Sequence, residues 1–300
     1  MRILVTGWHS QIARALVEVA PATPAVTALS VGRPALDLCK PSGIRAAMMA
    51  GTPDVIVNAA AYTRVDEAEE ERGQAFAHNR AGAAELARVA AARGIPIVHL
   101  SSVYVFDGRK QGAYVEDDEP APLSVYGRTR LAGEQAIAGA NPRHVILRTG
   151  WVYSEHGQNF VRRMLARARD GCPIAVVDDQ VGSPTYARDL AAAVLAVAAR
   201  VVDTGRPPPW GVYHVAGDGS TSWFGLARRL FEVSRTLGGP TAELEATTAD
   251  SWATSAPRLA NACLDCARLH DVFGLRLPHW SRSLEACVGR LIAGEVGGKG

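Results

Sequence analysis

The chain has 300 residues, of which 48% are hydrophobic and 21% are charged, and its formal net charge is +2. A chain of this length can bury a large core and hold one large domain or two smaller ones, and its small charge gives no reason to expect a nucleic acid or a membrane surface as partner. The five cysteines, an odd number, do not suggest a disulfide framework and fit a reducing cytoplasm.

The N-terminus shows no signal peptide, because Arg2 leads directly into a short apolar strand. The longest uninterrupted apolar stretch, residues 190–199, is much shorter than the roughly 20 residues needed to cross a bilayer. We therefore expect a cytoplasmic protein without a membrane span.

Short apolar runs alternate with helical stretches along most of the chain. Strands are predicted at residues 2–6, 25–31, 54–58, 95–101, 144–149, 174–177 and 211–215. One helix is predicted to end near residue 19 and another to begin near Tyr126, and the others are predicted at about residues 41–50, 74–93, 159–169, 223–236 and 281–292. This alternation predicts an α/β fold with a Rossmann-like, doubly wound parallel sheet.

The same pattern predicts two structural units. A Rossmann-like domain is expected at residues 1–149, joined by residues 172–216. A smaller C-terminal lobe that binds the substrate is expected from residues 150–171 and 217–300. The reaction site should lie in the cleft between the two units.

The turn after the first strand is a candidate phosphate-binding loop. Gly7, Ser10 and Ala13 have the spacing of the dinucleotide fingerprint, in which the first position makes the turn and the third allows close helix packing. Ser10 stands at the second glycine position, and its hydroxyl could donate to a phosphate oxygen at the helix N-terminus. Taken alone, this spacing also fits a tight turn in any α/β domain.

The end of the second strand normally meets the adenosine ribose of a dinucleotide. An acidic residue there prefers the 2′-hydroxyl of NAD, but this chain has Arg33 and no acid. Because an arginine can pair with a 2′-phosphate, this position favours NADPH. A solvated surface arginine is the alternative interpretation.

The reactive residues are expected at the carboxyl ends of the strands. Ser101 and Ser102 end the fourth strand, and Tyr126 and Arg130 share one helical face because they are four residues apart. A nearby cation favours the phenolate and lowers the pKa of a tyrosine, so Tyr126 could donate a proton to a developing alkoxide. The alternative is a tyrosine and an arginine on a solvated helix. No metal-binding motif is evident, so no metal site is predicted.

With these residues, the chain resembles the extended short-chain dehydrogenase/reductase superfamily and, within it, the dTDP-4-dehydrorhamnose reductase family. The similarity runs over nearly the whole chain. The segments that carry it are residues 58–69, 101–108, 125–134, 148–153, 178–185 and 258–265.

The resemblance implies reduction of a dTDP-linked 4-keto-6-deoxy sugar, with NADPH as cofactor, NADH as the alternative, and a homodimer as one expected assembly. By position, Tyr126 would donate the proton, Ser102 would be its hydroxyl partner, and Arg130 stands where the family has a lysine that holds the nicotinamide ribose. The further residues implied to contact the cofactor are Gly7, Ser10, Gln11, Ile12, Asp37, Leu38, Ala61, Tyr62 and Thr63. The residues implied to face the sugar nucleotide are Ser102, Val103, Trp151 and Arg258.

Three positions depart from the family pattern, with Ser10 for a glycine, Val103 for an aspartate and Arg130 for a lysine. Arginine stays charged, but its planar fork is larger than an ammonium group. Val103 offers no acceptor for a sugar hydroxyl. Two hypotheses follow: an NADPH-dependent reductase of a dTDP-4-keto-6-deoxyhexose, or a non-catalytic relative that keeps the fold and binds nucleotide weakly or regulates a partner protein.

Overall fold

The computed structural model describes residues 1–23, 25–203, 205–251 and 253–297, with residues 49–51 and 295–297 as backbone only. Its strands are, in chain order, β1 (Arg2–Thr6), β2 (Thr27–Val31), β3 (Val55–Asn58), β4 (Ile97–Ser102), β5 (His144–Thr149), β6 (Val152–Tyr153), β7 (Ile174–Val177), β8 (Val181–Gly182), β9 (Thr185–Tyr186), β10 (Gly211–His214), β11 (Thr221–Ser222), β12 (Leu244–Thr247) and β13 (Asn261–Ala262). Its helices are α1 (Gln11–Val19), α2 (Pro41–Gly51), α3 (Arg72–Phe76), α4 (Ala83–Ala91), α5 (Val125–Ala140), α6 (Phe160–Arg167), α7 (Ala187–Val202), α8 (Trp223–Thr236), α9 (Ala267–Phe273) and α10 (Trp280–Gly297). A π-helical turn, Ala77–Gly82, makes α3 and α4 continuous.

Six parallel strands form the central sheet in the order β10-β5-β4-β3-β1-β2. Every residue of β3 and of β4 is buried, which explains why these strands are mostly apolar without alternation. Helices α1 and α7 cover one face, and α2, α4 and α5 cover the other. Because the strand order reverses between β1 and β3, a ligand crevice is expected at the carboxyl ends of these two strands. The predicted Rossmann-like α/β fold is confirmed.

After β5 the chain builds a smaller lobe beside the sheet. Helices α6, α8 and α10 pack around a separate core with β7 and β12, which pair in parallel. Strand β8 pairs with β11 and β13, and β6 pairs with β9. Of the helices in the described ranges, none is both long enough and apolar enough to cross a membrane.

The boundary between the two units differs from the predicted division. The prediction assigns residues 172–216 to the Rossmann-like domain, but β7, β8 and β9 belong to the small sheets of the lobe. The chain returns to the central sheet with α7, which packs on α1, and with β10. The partner of β7 is β12, far along the chain, so no local pattern signals this pairing. Conversely, α9 packs on the Rossmann side, where Phe273 lies edge-on to Tyr213 with ring centroids 5.0 Å apart.

Candidate active site

The turn between β1 and α1 allows an anion to approach the backbone closely. Gly7 has φ +89°, and a Cβ placed on it would lie 3.0 Å from the Cα of Ala60, so the position requires glycine. Ser10 is the N-cap of α1, and its Oγ accepts a hydrogen bond from Ala13 N–H at 3.1 Å. A hydroxyl that accepts in this way keeps its own hydrogen for donation to a ligand.

Gln11 and Ile12 face this turn with their backbone rather than their side chains. Their N–H groups lie in the first turn of α1, where a helix offers no internal partners and favours negative charge. The Ile12 side chain packs on the core. Gln11 Oε1 accepts from Ser154 Oγ at 2.9 Å and from Asn159 Nδ2 at 3.0 Å, which ties the start of α1 to the smaller lobe.

A groove of about 580 Å³ adjoins this turn. The predicted cofactor-binding residues that line it are Gly7, Ser10, Arg33, Asp37, Leu38, Ala61, Tyr62 and Thr63. Arg33 is exposed just beyond β2, which is the position expected for a residue that meets a 2′-phosphate. Volume, glycine turn and helix N-terminus together fit a dinucleotide.

An asparagine from the π-helical turn holds one wall of the groove. Asn79 is buried, and its Oδ1 accepts from Tyr62 N–H at 2.8 Å. Its Nδ2 donates to Tyr62 O at 3.0 Å and to Thr129 Oγ1 at 2.9 Å. Asn79 thereby joins the loop after β3 to α5. Sequence reasoning did not find this residue, because a π-helical turn has no simple sequence signature.

Three side chains that could ligate a metal lie at the rim of the groove. Asp37, Cys39 and His78 place their ligand atoms within 4.8 Å of one another. However, His78 Nδ1 lies 2.9 Å from Gln74 O, and a carbonyl can only accept, so this nitrogen carries a proton. A protonated nitrogen cannot bind a metal. In this arrangement Cys39 Sγ lies 3.3 Å from His78 Nδ1, and Asp37 Oδ1 accepts a hydrogen bond from Cys39 N–H at 3.0 Å.

Helix α5 carries the reactive residues against the sheet. It is capped by Ser124, whose Oγ accepts from an N–H of the first turn at 3.0 Å. Tyr126, Arg130 and Glu134 follow at intervals of four residues, and all three are buried. Tyr104 packs edge-on against Tyr126, with ring centroids 5.5 Å apart. The alternative of a solvated tyrosine–arginine pair is therefore excluded.

Arg130 is a buried cation with unused donors. Its Nη2 donates to Leu100 O, and only 3% of the residue is exposed. Its Nε and Nη1 are buried without a partner among the described residues. Buried donors that lack an acceptor are costly, so this guanidinium fits a ligand that brings oxygen acceptors. The hydroxyls of a nicotinamide ribose are acceptors of this kind.

Ser102 lies at the carboxyl end of β4, in the same part of the sheet edge. Its side chain is buried, and Oγ accepts from Tyr104 N–H at 3.3 Å. Its hydroxyl hydrogen therefore stays available to a carbonyl oxygen of a ligand.

A buried ion pair supports this end of α5. Arg148 and Glu134 are each 5% exposed, with Nη2 2.8 Å from Oε2. Arg148 Nε lies 3.0 Å from Oε1 of the same carboxylate, and the Ser101 hydroxyl also donates to Oε1. This bidentate pair joins α5 to β4 and β5. Both charged residues lie in segments that carry the family resemblance, but their pairing is not apparent from the sequence.

A second groove, of about 500 Å³, opens between Tyr104, just after β4, and the smaller lobe. Trp151 stacks on Trp223 in its wall, with ring centroids 3.5 Å apart and ring planes 9° apart. Three arginines, Arg163, Arg167 and Arg258, also line it. An aromatic platform beside several cations suits a nucleobase followed by a diphosphate.

Arg258 is tied across this groove to the Rossmann-like domain. Its Nη2 lies 2.5 Å from Asp66 Oδ2, and Ala256 N–H donates to Asp66 Oδ1 at 3.1 Å. Burial acts to raise the pKa of Asp66, but these hydrogen bonds outweigh it and hold the pKa below its usual value. Asp66 thus stays ionised and holds the loop that carries Arg258.

Val103 does not line either groove. It has no exposed surface and packs with Val105 and Phe106 in a separate core cluster. In this arrangement the Val103 side chain cannot contact a ligand, so its lack of an acceptor has no direct effect on a bound sugar.

Comparison with known proteins identifies the family. Residues 1–292 match the model of the RmlD substrate binding domain. The chain belongs to this family. It is 44% identical over 292 residues to the dTDP-4-dehydrorhamnose reductase of Sinorhizobium fredii, a match that covers 97% of this chain and 98% of that protein. The predicted membership of the dTDP-4-dehydrorhamnose reductase family is confirmed.

Solved structures of the RmlD family share the whole fold. The dTDP-4-dehydrorhamnose reductase of Clostridium acetobutylicum has a TM-score of 0.89 and 31% identity, covering 97% of this chain and 99% of that one. The corresponding protein of Bacillus anthracis, solved in complex with NADP, has a TM-score of 0.86 and 30% identity, covering 95% and 98%. The fold of this RmlD-family chain is therefore shared along nearly its whole length by these solved structures.

Proposed function

We propose that the protein is an NADPH-dependent reductase that converts a dTDP-linked 4-keto-6-deoxyhexose to the corresponding alcohol. The carrying observation is the position of Tyr126, which packs in one cluster with Tyr62 of the first groove and Tyr104 of the second groove. The family membership and the NADP complex of a relative support the same assignment.

Three side chains share the chemistry at the ketone. NADPH supplies the hydride that adds to C4. The Tyr126 hydroxyl donates its proton to the carbonyl oxygen, so that hydride and proton together complete the alcohol. The Ser102 hydroxyl donates a hydrogen bond to the same oxygen and stabilises its growing negative charge. One helical turn after Tyr126, the buried Arg130 places a positive charge in this part of the site.

The remaining residues would hold the cofactor and the sugar nucleotide in the positions that the reaction needs. The α1 N-terminus and Ser10 would receive the pyrophosphate, and Arg130 would receive the nicotinamide ribose through one of its two unpaired nitrogens. On the other side, Trp151 would offer its face to the thymine base, while Arg258 would neutralise the diphosphate. Proximity of this kind lowers the barrier before any proton moves.

The test is a binding and turnover assay on the whole chain. NADPH and NADH are titrated against tryptophan fluorescence, and NADPH absorbance is then followed with a dTDP-4-keto-6-deoxyhexose and with its UDP-linked counterpart. We expect turnover of the dTDP-linked ketone and preference for NADPH. NADPH binding without turnover of either ketone would overturn the proposal and favour the non-catalytic hypothesis.

The homodimer, and the cytoplasmic location expected from the cysteines and the short apolar stretches, belong to the same proposal. Light scattering on the purified chain gives its mass in solution and so tests the dimer. A monomeric mass at working concentrations would remove the dimer from the proposal and leave the reaction unaffected.

We expect Arg33→Ala to reduce the preference for NADPH over NADH about tenfold, because a charge-assisted hydrogen bond contributes roughly 1.5–3 kcal/mol and this one is partly solvated. The measurement is kcat/KM for both cofactors. Arg45→Ala is the matched control, because Arg45 is also an exposed arginine but pairs with Glu85 away from the groove. Equal losses with NADPH and NADH would contradict the role of Arg33.

We expect NADPH to slow alkylation of Cys39 and to leave Cys172 unaffected. Both thiols are free and exposed, but Cys39 alone contacts a groove residue, His78. Burial and then the Asp37 carboxylate raise the pKa of Cys39 above its usual value, with Arg33 opposing them, so labelling needs mildly alkaline pH. Peptide mass spectrometry after iodoacetamide treatment measures both sites. Equal protection, or none at Cys39, would place the cofactor elsewhere.

A further inference from the structure

A row of polar side chains crosses three strands beneath the cofactor groove. Thr6, Asn58 and His99 are direct neighbours in the registers of β1, β3 and β4. All three are buried. They lie on the sheet face that packs on α4 and α5, because the residues two positions earlier on the same strands belong to the core cluster there. Polar groups in such a place must satisfy one another.

The hydrogen bonds of the row run in one direction. Ala60 N–H donates to Thr6 Oγ1 at 3.0 Å, and the Thr6 hydroxyl donates to Asn58 Oδ1 at 2.6 Å. This fixes the amide of Asn58, whose Nδ2 therefore donates to His99 Nδ1 at 3.0 Å. A neutral imidazole that accepts at Nδ1 carries its single proton on Nε2. Burial, and then the charge of Arg130, lower the pKa of His99 well below its usual value, so the ring is neutral.

The row ends at donors that have no acceptor. His99 Nε2 is buried without a partner among the described residues, and so are Nε and Nη1 of Arg130. Arg130 reaches this part of the sheet, since its Nη2 donates to Leu100 O, the residue next to His99. Imidazole Nε2–H and a guanidinium can only donate, so they cannot pair with each other. Each of these donors therefore needs an oxygen acceptor.

We infer that a buried water bridges His99 Nε2–H and the Arg130 guanidinium, and that His99 is thereby the positioning residue that directs Arg130 toward Tyr126. A buried water needs two to four polar partners, and His99 Nε2 with one of the two free nitrogens of Arg130 supplies two, which leaves the other nitrogen for the ribose. The expected effect of His99 on catalysis rests on the proposed function, whereas the assignment of a proton to His99 Nε2 does not.

The inferred water bridge would connect the pyrophosphate end of the cofactor groove to its nicotinamide end. Thr6 precedes Gly7 in the phosphate turn, and Ala60 precedes Ala61 in the groove wall. The row from these backbone segments ends on the guanidinium that is proposed to hold the nicotinamide ribose. Orientation of Arg130 therefore depends on the same strand ends that shape the pyrophosphate site.

The hydrogen-bond assignment is tested without cofactor or substrate. Nitrogen-15 NMR of the histidine rings distinguishes the tautomers, and we expect His99 to show a slowly exchanging proton on Nε2 and none on Nδ1. A proton on Nδ1, or a charged ring at neutral pH, would overturn the inference even if the enzyme is fully active. A high-resolution crystal structure should show the water within hydrogen-bond distance of His99 Nε2.

Two variants test the effect on Arg130. His99→Gln keeps a donor near the position of Nε2, whereas His99→Asn keeps the acceptor for Asn58 but is too short to reach the water. We expect His99→Asn to weaken NADPH binding and lower kcat, each about tenfold, the order expected for one hydrogen bond to a charged group, and His99→Gln to lose about threefold or less. The measured NADPH binding is corrected for the fraction of each variant that is folded, which thermal unfolding gives for both variants.

The outcomes separate the inference from the proposed function. Equal losses in His99→Gln and His99→Asn, or no loss in either, would contradict a positioning role for His99. If the wild-type chain does not bind NADPH, the proposed function fails, and the NMR result alone then decides the tautomer of His99.

Discussion

Tyr126→Phe should lower kcat by about 10²–10⁴-fold and leave the affinity for NADPH nearly unchanged, because it removes only the hydroxyl that donates the proton. The ring itself packs with Tyr62, Val125 and Tyr104, and phenylalanine keeps that packing. The measurements are kcat with the dTDP-linked ketone and the NADPH dissociation constant from fluorescence.

Tyr104→Phe is the matched control for this prediction. Tyr104 lies edge-on to Tyr126 and also lines the second groove. Burial raises the pKa of Tyr104 above its usual value, although Arg258 acts in the opposite direction, so its hydroxyl is a poorer proton donor than an ordinary phenol. Its loss should change kcat far less. If Tyr104→Phe abolishes turnover and Tyr126→Phe does not, the assignment of the proton donor is wrong.

Glu134→Gln should destabilise the protein by about 3–5 kcal/mol, because removal of one partner from a buried ion pair leaves the other charge unpaired. Arg148 would lose the carboxylate that receives both its Nε and its Nη2, and Ser101 would lose a charged acceptor. Urea unfolding followed by circular dichroism measures the change. The double variant Glu134→Leu, Arg148→Met should lose less, because it leaves no buried charge.

The control for this prediction is an exposed ion pair. Arg45→Gln breaks the contact between Arg45 and Glu85, where the arginine side chain is 56% exposed. Exposed pairs contribute about 0–1 kcal/mol, so the variant should unfold at nearly the wild-type urea concentration. A loss in Glu134→Gln no larger than that of Arg45→Gln would contradict a supporting role for the buried pair.

The sequence predicts the strands of the central sheet well and one of its helices not at all. Strands β1 and β5 have the predicted bounds, because parallel strands that are buried on both faces are continuous apolar runs. Helix α7 is absent from the prediction, although its core is the longest apolar stretch of the chain. Its buried residues occur on most of its circumference, so no polar face reveals the helical period.

The residues of the site likewise divide into those that the sequence predicts and those that it does not. Gly7, Ser10, Ser102, Tyr126 and Arg130 follow from positions at strand ends and from helical spacing, which are local features. The partners Asn79, Trp223 and His99 do not, since each acts through a contact with a residue far away in the chain. Such contacts depend on strand register and lobe packing, which no short motif encodes.

The stacked indoles of Trp151 and Trp223 have an optical consequence. Two indole rings with centroids 3.5 Å apart and planes 9° apart are close enough for their electronic transitions to couple, so we expect a circular dichroism couplet that isolated tryptophans lack. A base that lies against this pair changes the coupling directly. The protein therefore carries an intrinsic, label-free reporter of occupancy in its second groove, independent of any redox readout.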